Sequence, residues 1–331
     1  MHTNIWADGM LGVIVGDALG VPVQFSSGKE IKSRAQGPVT GMEGHGTYDM
    51  PAGTWSDDSS MALATLDSLV KAGSADMDNI MRRFLQWEFE GEYTPYGSPF
   101  DEGITCTSAL YHYKQNGDIS TCGAVGEYAN GNGALMRIMP ICLYAISQVH
   151  AGKLTQKDAV MLIHTAGSLT HNHLRSHTAC GLYYFMADAV LKMRQSDYSL
   201  QDALQRGIDR GIAFYKEANL DGELSHYNHM LDLKALAETP VDQIRSGGYV
   251  VETMQGVLWS LIKADSLPEA MLRAVNLGHD TDTVAAIAGG LAGLWYGAES
   301  IPQDWLQVIP RLPWILSLCE DANAAFPVFF A

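Results

Sequence analysis

Two short segments of this 331-residue chain gather carboxylate and hydroxyl side chains directly before an apolar helix pattern. In the first, Asp57 and Asp58 stand among serines; in the second, Asp280 and Asp282 alternate with threonines. Either segment could serve only to cap its helix, because Ser and Asp accept hydrogen bonds from the free N–H groups of a first turn. The two acids and two threonines of the second segment are nevertheless more than one cap uses.

These four carboxylates would repel one another strongly if they converged without cations, since like charges a few ångströms apart cannot all remain ionised. The candidate ligands are all oxygen atoms, with no Cys or His among them, and such sets suit the hard ions Mg²⁺ and Mn²⁺. In hydrolytic sites two such ions lie about 3.5–4 Å apart. The two segments together therefore predict a site for two divalent cations, Mg²⁺ or Mn²⁺.

A third segment places Asn132 between Gly131 and Gly133, directly before a helix pattern over residues 134–150. Glycine lets the backbone approach a phosphate closely, and a helix N-terminus offers it free N–H groups. The segment predicts an anion-binding loop that opens a helix, although an ordinary turn fits the same residues equally well.

Histidines and a further acid pair complete the polar candidates. His173 and His177 have the i, i+4 spacing of a zinc-binding pair, but no thiol or HExxH glutamate accompanies them. A hydrogen-bonding histidine that lines a site, as His171 could, is favoured over zinc. Asp101 and Glu102 close a loop of Pro and Gly before another helix pattern, where capping is the simpler interpretation.

The elements around these segments are helical nearly everywhere. Apolar residues recur with helical spacing, and alternating β-branched strands are almost absent. No repeat of about 20–50 residues and no low-complexity linker divides the chain. The sequence predicts one all-α domain over residues 1–331, with helices near 61–70, 80–87, 105–115, 134–150, 156–167, 174–194, 199–218, 249–264, 268–276, 281–297 and 303–318.

Composition disfavours several classes of partner. Asp and Glu total 37 against 21 Lys and Arg, and the net charge of −16 repels nucleic-acid phosphates and anionic membranes. The N-terminus lacks a secretion-signal pattern, and the longest uncharged stretch, residues 283–298, is shorter than the roughly 20 residues of a membrane span. Five widely spaced cysteines without a CxxC pair indicate reduced thiols, and we expect a cytoplasmic protein.

Short motifs along the chain occur in a characteristic order. They are Gly16-Asp17-Ala18-Leu19-Gly20, Ser56-Asp57-Asp58, Gly131-Asn132-Gly133 with Met136-Arg137, Leu169-Thr170-His171, Ser246-Gly247-Gly248-Tyr249-Val250 and Asp280-Thr281-Asp282-Thr283. In order and spacing they resemble the ADP-ribosylglycohydrolase family, from about residue 5 to about residue 300. The resemblance implies a single compact all-α domain of orthogonally packed helices, with a dinuclear metal cleft that holds ADP-ribose.

The resemblance also assigns roles to individual residues. Those expected to bind the metal ions are Ser56, Asp57, Asp58, Asp280, Asp282 and Thr283. Those expected to hold the pyrophosphate and proximal ribose are Gly131, Asn132, Gly133 and His171, and Tyr249 is expected beside the adenosine half. The ions would bind the distal ribose hydroxyls, orient C1″ and polarise a water, so Asp57 is expected to be catalytic as well as a ligand.

The loop around Asp101, Pro99-Phe100-Asp101-Glu102-Gly103-Ile104-Thr105, is similar to that of the arginine-directed bacterial members. Asp101 is therefore expected to act as acid or base at the scissile bond. Two positions depart from the family pattern: Ser56 replaces the usual Thr and keeps the hydroxyl, and Gln24 replaces a Glu that serine-directed relatives use in catalysis. Because glutamine is neither a base nor an anionic ligand, Gln24 is expected only to contact the substrate, and arginine-linked substrates are favoured.

The sequence supports three functional hypotheses, in order of preference. The leading one is a Mg²⁺- or Mn²⁺-dependent hydrolase that removes ADP-ribose from a modified protein by cleaving its N-glycosidic bond to arginine. The second is hydrolysis of another ADP-ribose conjugate, O-linked or O-acetyl. The third is a catalytically idle ADP-ribose-binding protein, which the clustered carboxylates disfavour.

Overall fold

A computed structural model describes residues 4–328, and these residues fold almost entirely into helices. The α-helices are α1 (Ile5–Gly20), α2 (Gly28–Ser33), α3 (Asp57–Ala72), α4 (Met77–Glu90), α5 (Ile104–Asn116), α6 (Ile119–Cys122), α7 (Met139–His150), α8 (Gln156–Ser168), α9 (Leu174–Met193), α10 (Leu200–Glu217), α11 (Leu233–Ala237), α12 (Val250–Ile262), α13 (Leu267–Leu277), α14 (Thr281–Tyr296), α15 (Gln303–Gln307) and α16 (Leu312–Ala325). Short 3₁₀ helices lie at Val21–Val23, Gly46–Tyr48, Asp221–Tyr227, Val241–Gln243 and Ala298–Ser300. The β-type pairings within residues 4–328 are isolated bridges, so the all-α prediction is confirmed.

Most predicted helices match the observed ones to within a few residues, and two do not. The helix predicted from residue 134 begins only at Met139, because residues 133–137 form turns. The helix predicted over 303–318 is divided into α15 and α16, with Pro310 between them. Proline lacks an N–H group and disfavours helical backbone in the residue before it, which explains the division.

Helix α1 was not predicted, yet it is the most deeply buried helix near the site, with every residue except Ala7 buried. A helix that is apolar on all sides has no amphipathic stripe to reveal it. It lies directly against α14: a Cβ atom at Gly12 would be 2.1 Å from Gly289 O, and one at Gly16 would be 2.2 Å from Ala285 O. Glycine at these positions therefore permits the two helix backbones to touch.

The same helix accounts for the one apolar stretch of membrane-spanning length in the described part of the chain. Ile5–Val23 has 19 residues and a mean hydropathy of 1.3, so by length and composition alone it could cross a bilayer. Of its apolar window, 94% is buried inside the protein. That burial is what a central helix of a bundle requires, and it accounts for the apolar sequence.

The contact between α1 and α14 brings three helix ends to one place. A Cβ atom at Gly20, the last residue of α1, would be 2.2 Å from the backbone nitrogen of Asp282 in the first turn of α14. The Thr281 hydroxyl donates to Gly20 O at 2.8 Å and closes the junction. Helix α3 starts beside the same end of α1, where Asp17 binds its first turn. The two carboxylate segments, at residues 56–58 and 280–283, therefore lie at neighbouring helix N-termini beside the end of α1.

Candidate functional site

The meeting point of these helix ends lies at a cleft of about 500 Å³. Predicted site residues that line the cleft are Gln24, Asp57, Asp101, Gly131, Asn132, Gly133, His171, Asp280 and Thr283. Ser56, Asp58 and Asp282 are buried beside them, and Tyr249 lines an adjoining cavity. The structure thus brings together residues from six separate segments of the chain at the cleft, and Tyr249 beside it comes from a seventh.

Asp17, which the sequence did not single out as a site residue, caps helix α3 from outside. Its carboxylate accepts from the backbone N–H groups of Ser56 (2.9 Å) and Ser59 (3.0 Å) and from the Ser59 hydroxyl (2.6 Å). The Ser56 side chain makes no capping hydrogen bond, so the capping interpretation of residues 56–58 is wrong. Capping from α1 leaves Asp57 and Asp58 available for the cleft. The Gly16-Asp17 motif was the available signal for this role.

The carboxylates beside the cleft have few donors of their own. The hydroxyls of Ser56 and Thr283 lie 3.3 and 3.2 Å from Asp58 Oδ2, and Thr283 N donates to Asp282 Oδ1 at 2.8 Å. Asp58 Oδ1 and Asp282 Oδ2 are buried and receive no hydrogen bond. A buried carboxylate oxygen without a donor is costly, so both atoms call for a proton or a cation.

The pKa values of the buried carboxyl groups also indicate that these groups need a proton or a cation. Burial, reinforced by the neighbouring carboxylates, raises the pKa values of Asp57, Asp58 and Asp282 well above that of an ordinary aspartate. The charge of Asp101 contributes to the raised pKa of Asp282, after burial. Within residues 4–328, however, no three His, Cys, Asp or Glu side chains already surround one point closely enough to hold a metal ion. The carboxylates lie near one another but do not form a complete coordination sphere.

Asp101 is held by two neighbours. Gln24 Nε2 donates to its Oδ2 at 2.7 Å, and the Tyr48 hydroxyl donates to its Oδ1 through a short hydrogen bond. Helix α5 begins after Gly103 without any side-chain cap, so capping does not explain Asp101. Burial raises the pKa of Asp101, while the bonds from Tyr48, Asp282 and Gln24 oppose that rise. Nothing in the sequence signalled Tyr48.

The Asn132 loop differs from its prediction, since it opens no helix. Asn132 N donates to Gly248 O at 3.0 Å, and its amide nitrogen donates to Asp280 Oδ2 at 2.6 Å. A Cβ atom at Gly133 would be 2.9 Å from the His171 ring. The glycine therefore makes room for an imidazole, and the backbone N–H group of Asn132 is already bonded within the protein.

The surroundings of His171 favour its neutral form. Burial, followed by the nearby Arg137 charge, lowers its pKa to about 3. Arg137 donates to Thr170 Oγ1 at 2.7 Å, and that hydroxyl lies 2.8 Å from His171 Nδ1. Because the hydroxyl accepts from the arginine, it can donate its own hydrogen to Nδ1, an arrangement that would place the ring proton on Nε2. A donor at Nε2 suits a ribose or phosphate oxygen.

The alternative of a zinc-binding histidine pair has no support in the structure. His173 caps α9 by accepting from Arg175 N at 3.2 Å. His177 faces away from it, with Nε2 at 2.9 Å from Ser168 Oγ and its ring stacked on His164. The two histidines therefore have separate structural partners.

Comparison with known proteins agrees with this architecture. A family model described as ADP-ribosylglycohydrolase matches residues 6–328. ADP-ribosylarginine hydrolase Tri1 of Pseudomonas putida (strain GB-1) is 29% identical over 312 residues, covering 94% of this chain and 76% of the relative. An ADP-ribosyl-dinitrogen reductase glycohydrolase of Rhodospirillum rubrum is 31% identical over 296 residues, covering 89% of this chain and 87% of that protein.

A solved structure of similar fold extends the match to three dimensions. It is described as an ADP-ribosylglycohydrolase-related protein complex, and it matches with a TM-score of 0.75 at 27% identity. The alignment covers 97% of this chain and 98% of the matched one. Family model, relatives and fold agree over nearly the whole length, and this chain belongs to the ADP-ribosylglycohydrolase family.

Proposed function

We propose that this protein is a divalent-cation-dependent hydrolase that cleaves the N-glycosidic bond between ADP-ribose and an arginine side chain of a modified protein. The observation that supports it most directly is Asp101, a carboxylate held by Gln24 and Tyr48 over a cleft whose interior is built from other carboxylates. The P. putida relative is named an ADP-ribosylarginine hydrolase, which supports the same linkage.

The buried carboxylates suit a pair of Mg²⁺ or Mn²⁺ ions. Two of their oxygens, Asp58 Oδ1 and Asp282 Oδ2, lack any donor, and the set consists only of the hard oxygen ligands that these ions prefer. The residues that would hold the ions are Ser56, Asp57, Asp58, Asp280, Asp282 and Thr283. Bound ions would orient the distal ribose hydroxyls and lower the pKa of a water.

The chain's own groups have distinct tasks in this reaction. The bond between C1″ and the guanidine nitrogen breaks, its electron pair stays on the nitrogen, and the nitrogen takes up a proton. A water oxygen bonds to C1″ and releases a proton. Asp101 would move one of these protons, and burial raises its pKa above that of an exposed aspartate, which supports a role as proton donor. His171 and Asn132 would bind the ADP-ribose half.

The test is release of free ADP-ribose from ADP-ribosylated arginine and serine peptides, measured by mass spectrometry with Mg²⁺, with Mn²⁺ and with EDTA. We expect release from the arginine peptide alone and its loss with EDTA. Asp57→Asn should lower turnover at least about 100-fold, because a neutral amide replaces an anionic ligand. Asp76→Asn, the same change at the exposed start of α4, is the matched control and should match the parent.

Each other outcome would support a different function. Release from the serine peptide alone would support an O-linked conjugate as substrate. Release from neither peptide, with ADP-ribose still bound, would support a catalytically idle binding protein. Turnover that survives EDTA would contradict the cation requirement.

The ion site can also be tested without turnover, by the melting temperature. Mn²⁺ should raise the melting temperature of the parent but not that of Asp58→Asn.

A further inference from the structure

A second cavity of about 480 Å³ adjoins the cleft and shares Gly131 and Gly248 with it. Tyr249, Arg175 and Asn130 also line this cavity. Gly131 and Gly248 therefore form a wall that the cleft and this cavity share.

Tyr249 is fixed at both of its ends. Its backbone pairs with Gly131 in an isolated bridge, and the next residue, Val250, donates to Asn130 O at 2.9 Å. Its hydroxyl accepts from Arg175 Nη1 at 3.1 Å. Because Arg175 lies in the first turn of α9, the ring is tied to an element remote from its own backbone.

The other groups of Arg175 are already engaged by the chain. Nε donates to Glu223 Oε2 at 2.7 Å, and Nη2 lies 2.9 Å from His226 Nε2. The Arg175 carbonyl accepts from the Tyr227 hydroxyl at 2.7 Å, so the 3₁₀ helix Asp221–Tyr227 is fixed to α9. With each of its three nitrogens engaged in this way, the guanidinium is held in one position beside Tyr249 and can orient the ring.

We propose that Arg175 is a positioning residue that fixes the Tyr249 ring as the wall against which the nucleobase half of the substrate packs. An aromatic ring held in one orientation offers a stacking surface at little entropic cost. The inference rests on the proposed function only in taking an ADP-ribose conjugate as the substrate. It is independent of the linkage that is cleaved.

The test is the dissociation constant of ADP-ribose, measured by calorimetry on the parent and on the variants Arg175→Gln, Tyr249→Phe and the double variant. We expect Arg175→Gln to weaken binding roughly 5–30-fold, the loss that follows when one charged hydrogen bond no longer orders the ring. KM should rise by a similar factor with kcat nearly unchanged. Tyr249→Phe should weaken binding several-fold, and the double variant should be no weaker than the weaker single variant, because both remove one interaction.

A matched control exists on α4. Arg83 pairs with Asp67 and donates to the Tyr93 hydroxyl at 2.6 Å, which repeats the arginine, acid and tyrosine grouping away from the walls of either cavity. Arg83→Gln should lower the melting temperature and leave the affinity for ADP-ribose unchanged. Parent-like affinity in Arg175→Gln, or single losses that multiply in the double variant, would overturn the proposal.

Two safeguards keep the result decisive. If Arg175→Gln does not fold, Tyr249→Phe decides by itself, and unchanged affinity in that variant would overturn the proposal. Because the ligand is ADP-ribose alone, a parent that binds it but does not cleave an arginine peptide would contradict the proposed linkage only. The effect of Arg175 on binding would still be measured.

Discussion

At the scale of single residues, the cleft is bordered by backbone conformations that side chains rarely adopt. Phe25, Asp101 and His279 have φ angles of 67°, 66° and 64°, in the left-handed region. Two of them are joined across the cleft edge, where Phe25 N donates to His279 O at 2.7 Å. Such strain costs of order 1–3 kcal/mol per residue and persists where the surroundings enforce it, often at functional sites. The hydrogen bonds from Gln24 and Tyr48 help to hold Asp101 in its left-handed conformation.

The Tyr48 hydroxyl is the first of these partners to test. Tyr48→Phe keeps the ring contact with Phe100 but removes the donor to Asp101 Oδ1. We expect kcat to fall about 10-fold, because the loss of one hydrogen bond that orients Asp101 raises the activation barrier by roughly 1.4 kcal/mol. The affinity for ADP-ribose should stay unchanged. Tyr113→Phe removes a similar donor, 3.0 Å from Asp78, and should leave kcat unaltered. Equal kcat values in the two variants would show that Tyr48 does not position Asp101.

At the scale of elements, the site depends on how closely α1 and α14 approach each other. Asp17 near the end of α1 caps α3, and Asp282 lies in the first turn of α14. Backbone contact at Gly12, Gly16 and Gly289 sets the separation of the two helices. The glycines of α1 therefore act on the site through the helices and not through any contact with a ligand.

Gly16→Ala tests this dependence. Alanine is the better helix former by about 1 kcal/mol, but its Cβ would meet Ala285 O at 2.2 Å. The clash should prevail and lower the free energy of unfolding by about 2–3 kcal/mol, because backbone on both sides must move. Gly222→Ala, where no atom lies within 4 Å of the added Cβ, is the control and should change stability little. Urea unfolding measures both, and a Gly16→Ala variant as stable as the parent would contradict the packing argument.

At the scale of the whole molecule, stability in acid depends on a buried histidine pair between α8, α9 and α10. His164 Nε2 lies 2.8 Å from the Tyr215 hydroxyl, and the His164 and His177 rings stack at 5.1 Å. Burial lowers the pKa of His164 to about 3 and that of His177 to about 4. Both values are below those of the unfolded chain, so the stability that neutral histidines contribute is present above pH 6.5 and is lost as pH falls.

His177→Gln isolates one of these protons. As pH falls from about 6.5 to about 5, the parent should lose roughly 1 kcal/mol per pH unit relative to this variant. The measurement is the free energy of unfolding of both proteins across that range. His112→Gln, at an exposed position on α5, is the control substitution of the same type. A constant difference between parent and His177→Gln would show that His177 is protonated in the folded state.

The amino-acid sequence alone determined the helical class, most helix positions and the segments that meet at the cleft. Those features depend on local periodicity and on motifs such as Ser56-Asp57-Asp58, whose residues are neighbours in the chain. Helix α1 was missed because it is apolar on all sides and has no amphipathic stripe. The helix expected from residue 134 begins later than predicted, after a loop in which Asn132 N bonds to the distant Gly248.

Only the tertiary structure decided which acids are free for chemistry and which side chains orient them. Asp17 caps α3 from 39 residues away, and Tyr48 reaches Asp101 across 53 residues. Arg175 reaches Tyr249 across 74 residues. Hydrogen bonds of this kind depend on where separate helices pack, and packing is set by contacts between distant segments. The spacing of apolar residues along the chain, from which the helices were predicted, carries no record of such contacts.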